Sequence, residues 1–315
     1  MIVALAGGVG GAKLADGLAS LFGSGLTVIV NTADDFEHLG LPISPDLDTV
    51  MYTLGGIANA ETGWGVAGET WGFLEQVVRL GGPSWFRLGD RDLATHVLRA
   101  NALRAGKGLT EITDQLCRHL DIAARILPMS DDPVRTIVHS VEGDLPFQEY
   151  FVRRKCEVPV TGFTFEGIAK SRPTAAVKGA LEATDLEAII FCPSNPFVSI
   201  DPIISVPGMR QLIVDARVPV IAVTPIIGGA AVKGPAAKMM RELGFESSPA
   251  SVAARYRSLV AGFVVDIADA QLAPAIEAMG MAMHATEALM KGKSDRRRLA
   301  EVCVAFARSL GARGP

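Results

Sequence analysis

The 315-residue chain has no surplus of basic charge: 30 Lys and Arg stand against 34 Asp and Glu, a net charge of −4. Without a cationic field to hold nucleic acid through counterion release, nucleic acid is excluded as a partner. Cysteine is scarce too. Cys117, Cys156, Cys192 and Cys303 lie far apart with no CxxC spacing, which excludes a zinc ribbon or a disulfide framework and leaves the reduced, buried thiols of a cytoplasmic protein. The His residues at 38, 96, 119, 139 and 284 form neither HExxH nor triad spacing, so metalloprotease and serine-hydrolase readings gain no local support. Long apolar runs are missing as well. Val218–Val232 is broken by Pro219, Pro225, Gly228 and Gly229 and falls short of the roughly 20 residues a spanning helix needs. Ile2–Ala6 follows no basic segment and is too short for a signal core of roughly 7–15 residues. Neither a membrane segment nor secretion is expected. Charged residues make up 20% and apolar residues 49%, enough apolar burial to offset chain entropy, so disorder is excluded too.

What is present is an alternation of strand and helix signals. Ile2–Leu5 is apolar and runs into glycines, after which Leu14, Leu18 and Leu21 recur at helical spacing, and Thr27–Val30 is a second β-branched run. Leu186–Phe191, Val218–Thr224 and Phe263–Ile267 have strand character, and a final helix is predicted from Ser294, as N-cap, to Leu310, with Gly311 just past its end. The pattern predicts one α/β domain over the whole chain: a Rossmann-like, mostly parallel sheet with helices on both faces, whose ligands sit at the carboxyl ends of the strands. A helical insertion is expected at about 64–125, with Leu93, Val97 and Ala100 on one buried face. A β excursion is expected at about 135–155, pairing Arg135–His139 with Phe147–Val152 through a loop containing Glu142-Gly143-Asp144.

Several loops have the composition of a ligand site. Gly7-Gly8-Val9-Gly10-Gly11-Ala12-Lys13 lies between strand and helix, where backbone N–H groups and a helix N-terminus can face a phosphate. It is neither GxGxxG, because Lys13 falls where the third glycine belongs, nor a P-loop, because Ala12 precedes Lys13 and Leu14 follows it. The glycines also suit a purely structural tight turn. Asp34, Asp35, Asp46 and Asp48 gather after the second strand. Asp46 and Asp48 have the hard oxygen chemistry to hold Mg²⁺, and either could accept a proton from a hydroxyl. Capping of a turn, or of a helix starting near Thr49, is the structural alternative. Asp90, Arg91 and Asp92 precede the helix predicted over Leu93–Arg104, and Arg91 could hold a diphosphate or stack on a ring. Asn195, in a Pro-flanked loop, could contact a base or ribose. The loop Gly228–Gly234 offers Lys233 as a point charge for phosphate.

Six blocks in order carry a wider resemblance: GGVGGAKL (7–14), NTADDFEHLGLPISPDLDTVMY (31–52), LGDRDLATH (88–96), LPMSDDPVRT (127–136), CPSNPFVSIDPI (192–203) and TPIIGGAAVKGPA (224–236). Over nearly its whole length the chain resembles the CofD/FbiA family, the 2-phospho-L-lactate transferases of coenzyme F420 biosynthesis. The resemblance implies a Rossmann-like fold and an Mg²⁺-dependent transfer of a phospholactyl, phosphoenolpyruvyl or phosphoglyceryl group. The donor is guanosine diphosphate-linked, the acceptor is the ribityl hydroxyl of the deazaflavin Fo, and GMP is released. It places the Fo contacts and the catalytic role on Asp48 and Arg91, and the nucleotide and phosphate contacts on Gly10, Gly11, Lys13, Asn195, Gly228, Gly229 and Lys233. A homodimer is expected. Two rivals stand beside this reading. One is a non-catalytic nucleotide-sugar-binding regulator of the gluconeogenesis-factor type, which shares the glycine loop but runs from its acidic pair into a Gly/Ser-rich stretch. The other is an NAD(P)-dependent oxidoreductase, which must overlook the broken fingerprint at Lys13.

Overall fold

A computed structural model describes residues 1–311 of the chain. Its centre is a seven-stranded sheet, parallel throughout, of β1 (Ile2–Ala6), β2 (Leu26–Val30), β3 (Arg125–Pro128), β4 (Ala188–Phe191), β5 (Val220–Val223), β6 (Gly262–Asp266) and β7 (Ala282–Thr286). The strand order is β7-β6-β5-β4-β1-β2-β3. The chain therefore winds outward from β1 through β2 to β3, then returns to add β4 to β7 on the other side. The crevice between β1 and β4, where the winding reverses, is where doubly wound sheets bind ligands.

Every residue of β1, β2, β4 and β5 is buried, as in parallel sheets covered on both faces. Alternation then sorts the side chains: Val3, Leu5 and Ile29 enter one core, while Ile2, Ala4, Val28 and Val30 enter the other. The strands predicted from sequence agree with β1, β2, β4, β5 and β6 to within a few residues at their ends. No helix among the described residues is long and apolar enough to cross a membrane singly.

Between β2 and β3 the chain carries a short antiparallel hairpin, Phe36–His38 with Leu41–Ile43, and four helices: α1 being the helix after β1 (Gly8–Phe22), these are α2 (Pro45–Leu54), α3 (Gly72–Arg79), α4 (Asp90–Arg104) and α5 (Leu109–His119). Helix α2 begins at Pro45, earlier than the start expected near Thr49, because proline fits the first helical position. Helix α4 begins at Asp90 because Glu69 accepts the amides of Arg91 (2.9 Å) and Asp92 (2.8 Å), a cap supplied from outside the local sequence. Its buried face keeps Ala100 from the expected one, with Leu93 half-buried, but not Val97. His96, Arg99 and Ala100 point inward, and Val97 and Leu98 are exposed.

The β excursion differs in register from expectation. Arg135–Ser140 pairs with Gly143–Pro146 and with Val160–Glu166, so Gly143 and Asp144 lie in a strand and the connection is the short Val141-Glu142. Phe147–Val152 is not a strand. It leads into the π-helical turn Glu149–Arg153, and the Phe147 ring just before that turn stacks on Phe151 within it at 5.3 Å, a pairing that requires helical spacing. The final helix spans Lys293–Gly311, with Ser294 and Gly311 inside it. From its first turn Asp295 reaches back, and its carboxylate accepts the amides of Lys291 and Gly292 just before the helix, both at 2.9 Å, so the entry is fixed by this carboxylate and not by the expected Ser294 hydroxyl.

Candidate active site

A cavity of about 520 Å³ opens at the carboxyl ends of β1, β2, β4 and β5, over the point where the winding reverses. One wall comes from the sheet loops and the other from the inserted helices.

On the sheet side, Gly7 enters α1 in extended conformation. Its amide donates to Ser194 Oγ at 3.0 Å, and the Gly8 amide donates to Asp46 Oδ1 at 2.8 Å. Val9 and Gly10 line the cavity, and as first-turn residues their amides have no carbonyl within the helix to bond, which leaves a dipole end suited to an anion. A Cβ on Gly10 would stand 2.4 Å from the Pro193 carbonyl oxygen, so only glycine fits there. Gly11 instead faces Ser194, whose Oγ would lie 2.4 Å from a Cβ, and it packs the loop rather than lining the cavity. Lys13 and Lys233 both line the cavity. Lys13 donates to the Met290 carbonyl (3.0 Å) and Lys233 to that of Thr62 (2.9 Å). Burial, with Arg296 and Lys233 nearby, pulls the Lys13 pKa down, as expected where cations converge.

Gly228 and Gly229 do not line the cavity: the Gly228 amide donates to Asp269 (2.9 Å), and the Gly229 carbonyl accepts the Ser247 hydroxyl (2.8 Å). They fix the loop that delivers Lys233. Asn195 lines the cavity, but its Oδ1 caps the π-helical turn Pro196–Ile200 by accepting the Phe197 amide at 2.9 Å.

Asp46 and Asp48, two residues apart on α2, have different neighbours, since that spacing turns side chains by about 200°. Asp46 faces the glycine loop, where Asn31 Nδ2 donates to its Oδ2 at 3.0 Å. Asp34 lines the same part of the cavity and accepts the Thr136 hydroxyl at 3.2 Å. Burial pushes Asp46 up to about 6, while burial and then the Asp46 charge push Asp34 well above the carboxylate range. Two buried carboxylates, one of them raised further by the charge of the other, are a donor set a hard divalent cation would relieve.

Asp48 meets the insertion. Arg99 on α4 donates from Nη1 to Asp48 Oδ2 at 3.1 Å and from Nη2 to Oδ1. His96 Nδ1 lies 3.7 Å from Asp48 Oδ2, and His96 Nε2 lies 3.2 Å from Asp92 Oδ1, which also accepts the Tyr52 hydroxyl at 2.7 Å. Asp48, Asp92 and His96 place possible ligand atoms within 4.8 Å of one another, but the guanidinium on Asp48 already supplies the positive charge that a metal would bring. Asp48, Tyr52, Asp92 and His96 all line the cavity.

Arg91 stands outside. It is exposed, donates to the Ala67 carbonyl at 2.9 Å and is not part of the lining. Arg87 lines the cavity and sits 4.2 Å from the Trp71 ring centre. Beside it, Trp85 and Phe86 form an aromatic corner with Phe36 and His38, with Phe36 and Phe86 centroids 4.8 Å apart and His38 and Trp85 5.3 Å apart. Reading the sequence missed Arg99, Tyr52, Trp85 and Arg87. His96 lay within a motif block, but no spacing singled it out.

The family model for "2-phospho-L-lactate transferase CofD" matches residues 2–305. The chain is 42% identical to the phosphoenolpyruvate transferase of Kitasatospora aureofaciens over 98% of each chain. It is 44% identical to that of Streptomyces griseus over 92% of each. It is also 40% identical to the 2-phospho-L-lactate transferase of Methanosarcina mazei, covering 96% of this chain and 99% of that one. Among solved structures, a upf0052-family protein of Bacillus halodurans superposes with a TM-score of 0.64 at 14% identity, covering 96% of this chain and 97% of that one, a likeness of fold. The glycine loop, the acidic helix and the inserted wall therefore belong to a member of the CofD family, the 2-phospho-L-lactate transferases.

Proposed function

We propose that the protein transfers a phospho-acid group from a guanosine diphosphate-linked donor to the ribityl hydroxyl of Fo, releasing GMP, in coenzyme F420 biosynthesis. The observation that carries this reading is one cavity with two chemically distinct walls. A helix N-terminus with Lys13 and Lys233 suits a diphosphate, and the aromatic corner at Trp85 and Phe86 suits a planar ring. The acceptor O–H bond breaks, its oxygen bonds to phosphorus, and the P–O bond to GMP breaks. Such transfers depend chiefly on positioning and on neutralising charge.

Asp48 is the group that orients the acceptor hydroxyl and accepts its proton, because its partner Arg99 leaves it without need of a metal. Asp34 and Asp46 are the residues that would hold Mg²⁺, which when bound offsets charge on the phosphoryl oxygens. Lys13 and Lys233 hold the donor diphosphate through the transfer. Relatives named for phosphoenolpyruvate and for 2-phospho-L-lactate lie at similar identity, so a test includes both donors and the phosphoglyceryl one. Incubating Fo, Mg²⁺ and each donor with the protein and weighing the products by mass spectrometry should give the Fo phosphodiester and equimolar GMP. Binding of a uridine sugar with no transfer from any donor would overturn the reading in favour of the non-catalytic regulator.

The same reading includes a homodimer, supported by Leu80, Val97 and Leu98, which expose apolar side chains on the insertion. Sedimentation at twice the chain mass checks it.

A further inference from the structure

Arg99 is 2% exposed and His96 1% exposed, on a helix that leaves Val97 (47%) and Leu98 (59%) in solvent. Helix α4 thus turns His96 and Arg99 inward in place of its larger apolar residues. Burying an ion pair costs desolvation that its attraction scarcely repays, so stability alone does not account for it. What the arrangement does supply is a closed ring of contacts. Asp48 on α2 is held by both Nη groups of Arg99, and Arg99 Nη1 lies 3.2 Å from His96 Nδ1. A guanidinium can only donate, so Nδ1 accepts and the imidazole proton belongs on Nε2, which lies 3.2 Å from Asp92 Oδ1 without an aligned hydrogen bond to it. Asp92 accepts the Tyr52 hydroxyl, which returns the ring to α2, one helical turn beyond Asp48.

We propose that Arg99 is a positioning residue for the transfer: it fixes the Asp48 carboxylate in the orientation that meets the acceptor hydroxyl, and neutral His96 keeps the guanidinium in place. The proposal rests on the transferase reading above. It has a structural corollary. A second cavity of about 190 Å³ lies on the far side of Arg99, lined also by Asp35 and Ser44. If the side chain is removed, a free guanidinium ion can reach the gap from there.

The test uses the full-length protein as wild type, Arg99→Lys and Arg99→Ala, with kcat and KM measured for Fo transfer and GDP binding measured separately. The expected loss is in kcat, about 100-fold for either variant, with GDP affinity within about twofold of wild type because the donor wall is untouched. Guanidinium chloride at about 50 mM, far below the molar concentrations that unfold proteins, should raise kcat of Arg99→Ala roughly tenfold and leave wild type unchanged. If Arg99→Ala does not fold, Arg99→Lys decides through its split between kcat and KM. Turnover of Arg99→Lys near wild type overturns the inference, as does an unrescued loss in which GDP binding fails equally. Wild type that transfers nothing overturns the transferase reading and this inference together. An active wild type with an indifferent Arg99 overturns the inference alone.

Discussion

The two walls of the cavity are built from different materials. On the sheet side the surface is mostly backbone: amides of Val9 and Gly10, with two lysines tethered to carbonyls and Gly10 so close to Pro193 that a Cβ would lie 2.4 Å from its carbonyl oxygen. On the insertion side the surface is mostly side chain, with Asp48, Tyr52, Asp92 and His96 in the lining, Arg99 behind them joining Asp48 to His96, and the Trp85 and Phe86 rings beside them. A backbone-built wall fails when an atom is added. A side-chain wall fails when one is taken away.

The sharpest way to break that contrast is Asp48→Asn, which keeps size and loses charge. Transfer should fall by about 10²–10³-fold while GDP still binds, as checked by single-turnover kinetics and calorimetry. Gly10→Ala adds a single methyl to the opposite wall. Because its neighbour is the Pro193 carbonyl, the backbone must shift, at about 1–3 kcal/mol, and both thermal midpoint and donor binding should drop. Lys233→Ala should raise the donor KM roughly tenfold, the value of one charge-assisted contact, and leave Fo affinity alone. Trp85→Ala should do the converse, weakening Fo about 3–10-fold in a fluorescence titration. The smallest effect belongs to Arg91→Ala: with Arg91 exposed and tied to Ala67, transfer should stay within about twofold of wild type. A large loss there would move the acceptor site off the cavity.

The same contrast explains what could be read from sequence. The sheet announces itself because burial on both faces demands unbroken apolar runs, and β1, β2, β4 and β5 have them. β7 is Ala-Met-His-Ala-Thr with no fully buried residue, and an edge strand of that kind carries no such signal. Lys13 and Lys233 could be placed at the cavity because glycines locate them, whereas Asp34 reads only as one of several carboxylates after a strand or as a turn cap. Of the insertion wall only Asp48 was visible, since Arg99 lies mid-helix in a pattern that favours the Leu93–Val97 face as the buried one. Only the tertiary pairing with Asp48 turns α4 over. Arg91 is the reverse case: it reads from sequence as a site residue, and the structure places it outside the cavity lining, with Glu69 capping its amide and the Ala67 carbonyl accepting from its side chain.

The central claim is that the two walls serve two substrates at once in one cavity. Adding GDP to the protein with Fo already bound, while following Fo emission, tests it directly. The account predicts that Fo remains bound and its emission changes, because the nucleotide settles against it. Displacement of Fo by GDP in simple competition, or an emission indifferent to saturating GDP, would contradict it.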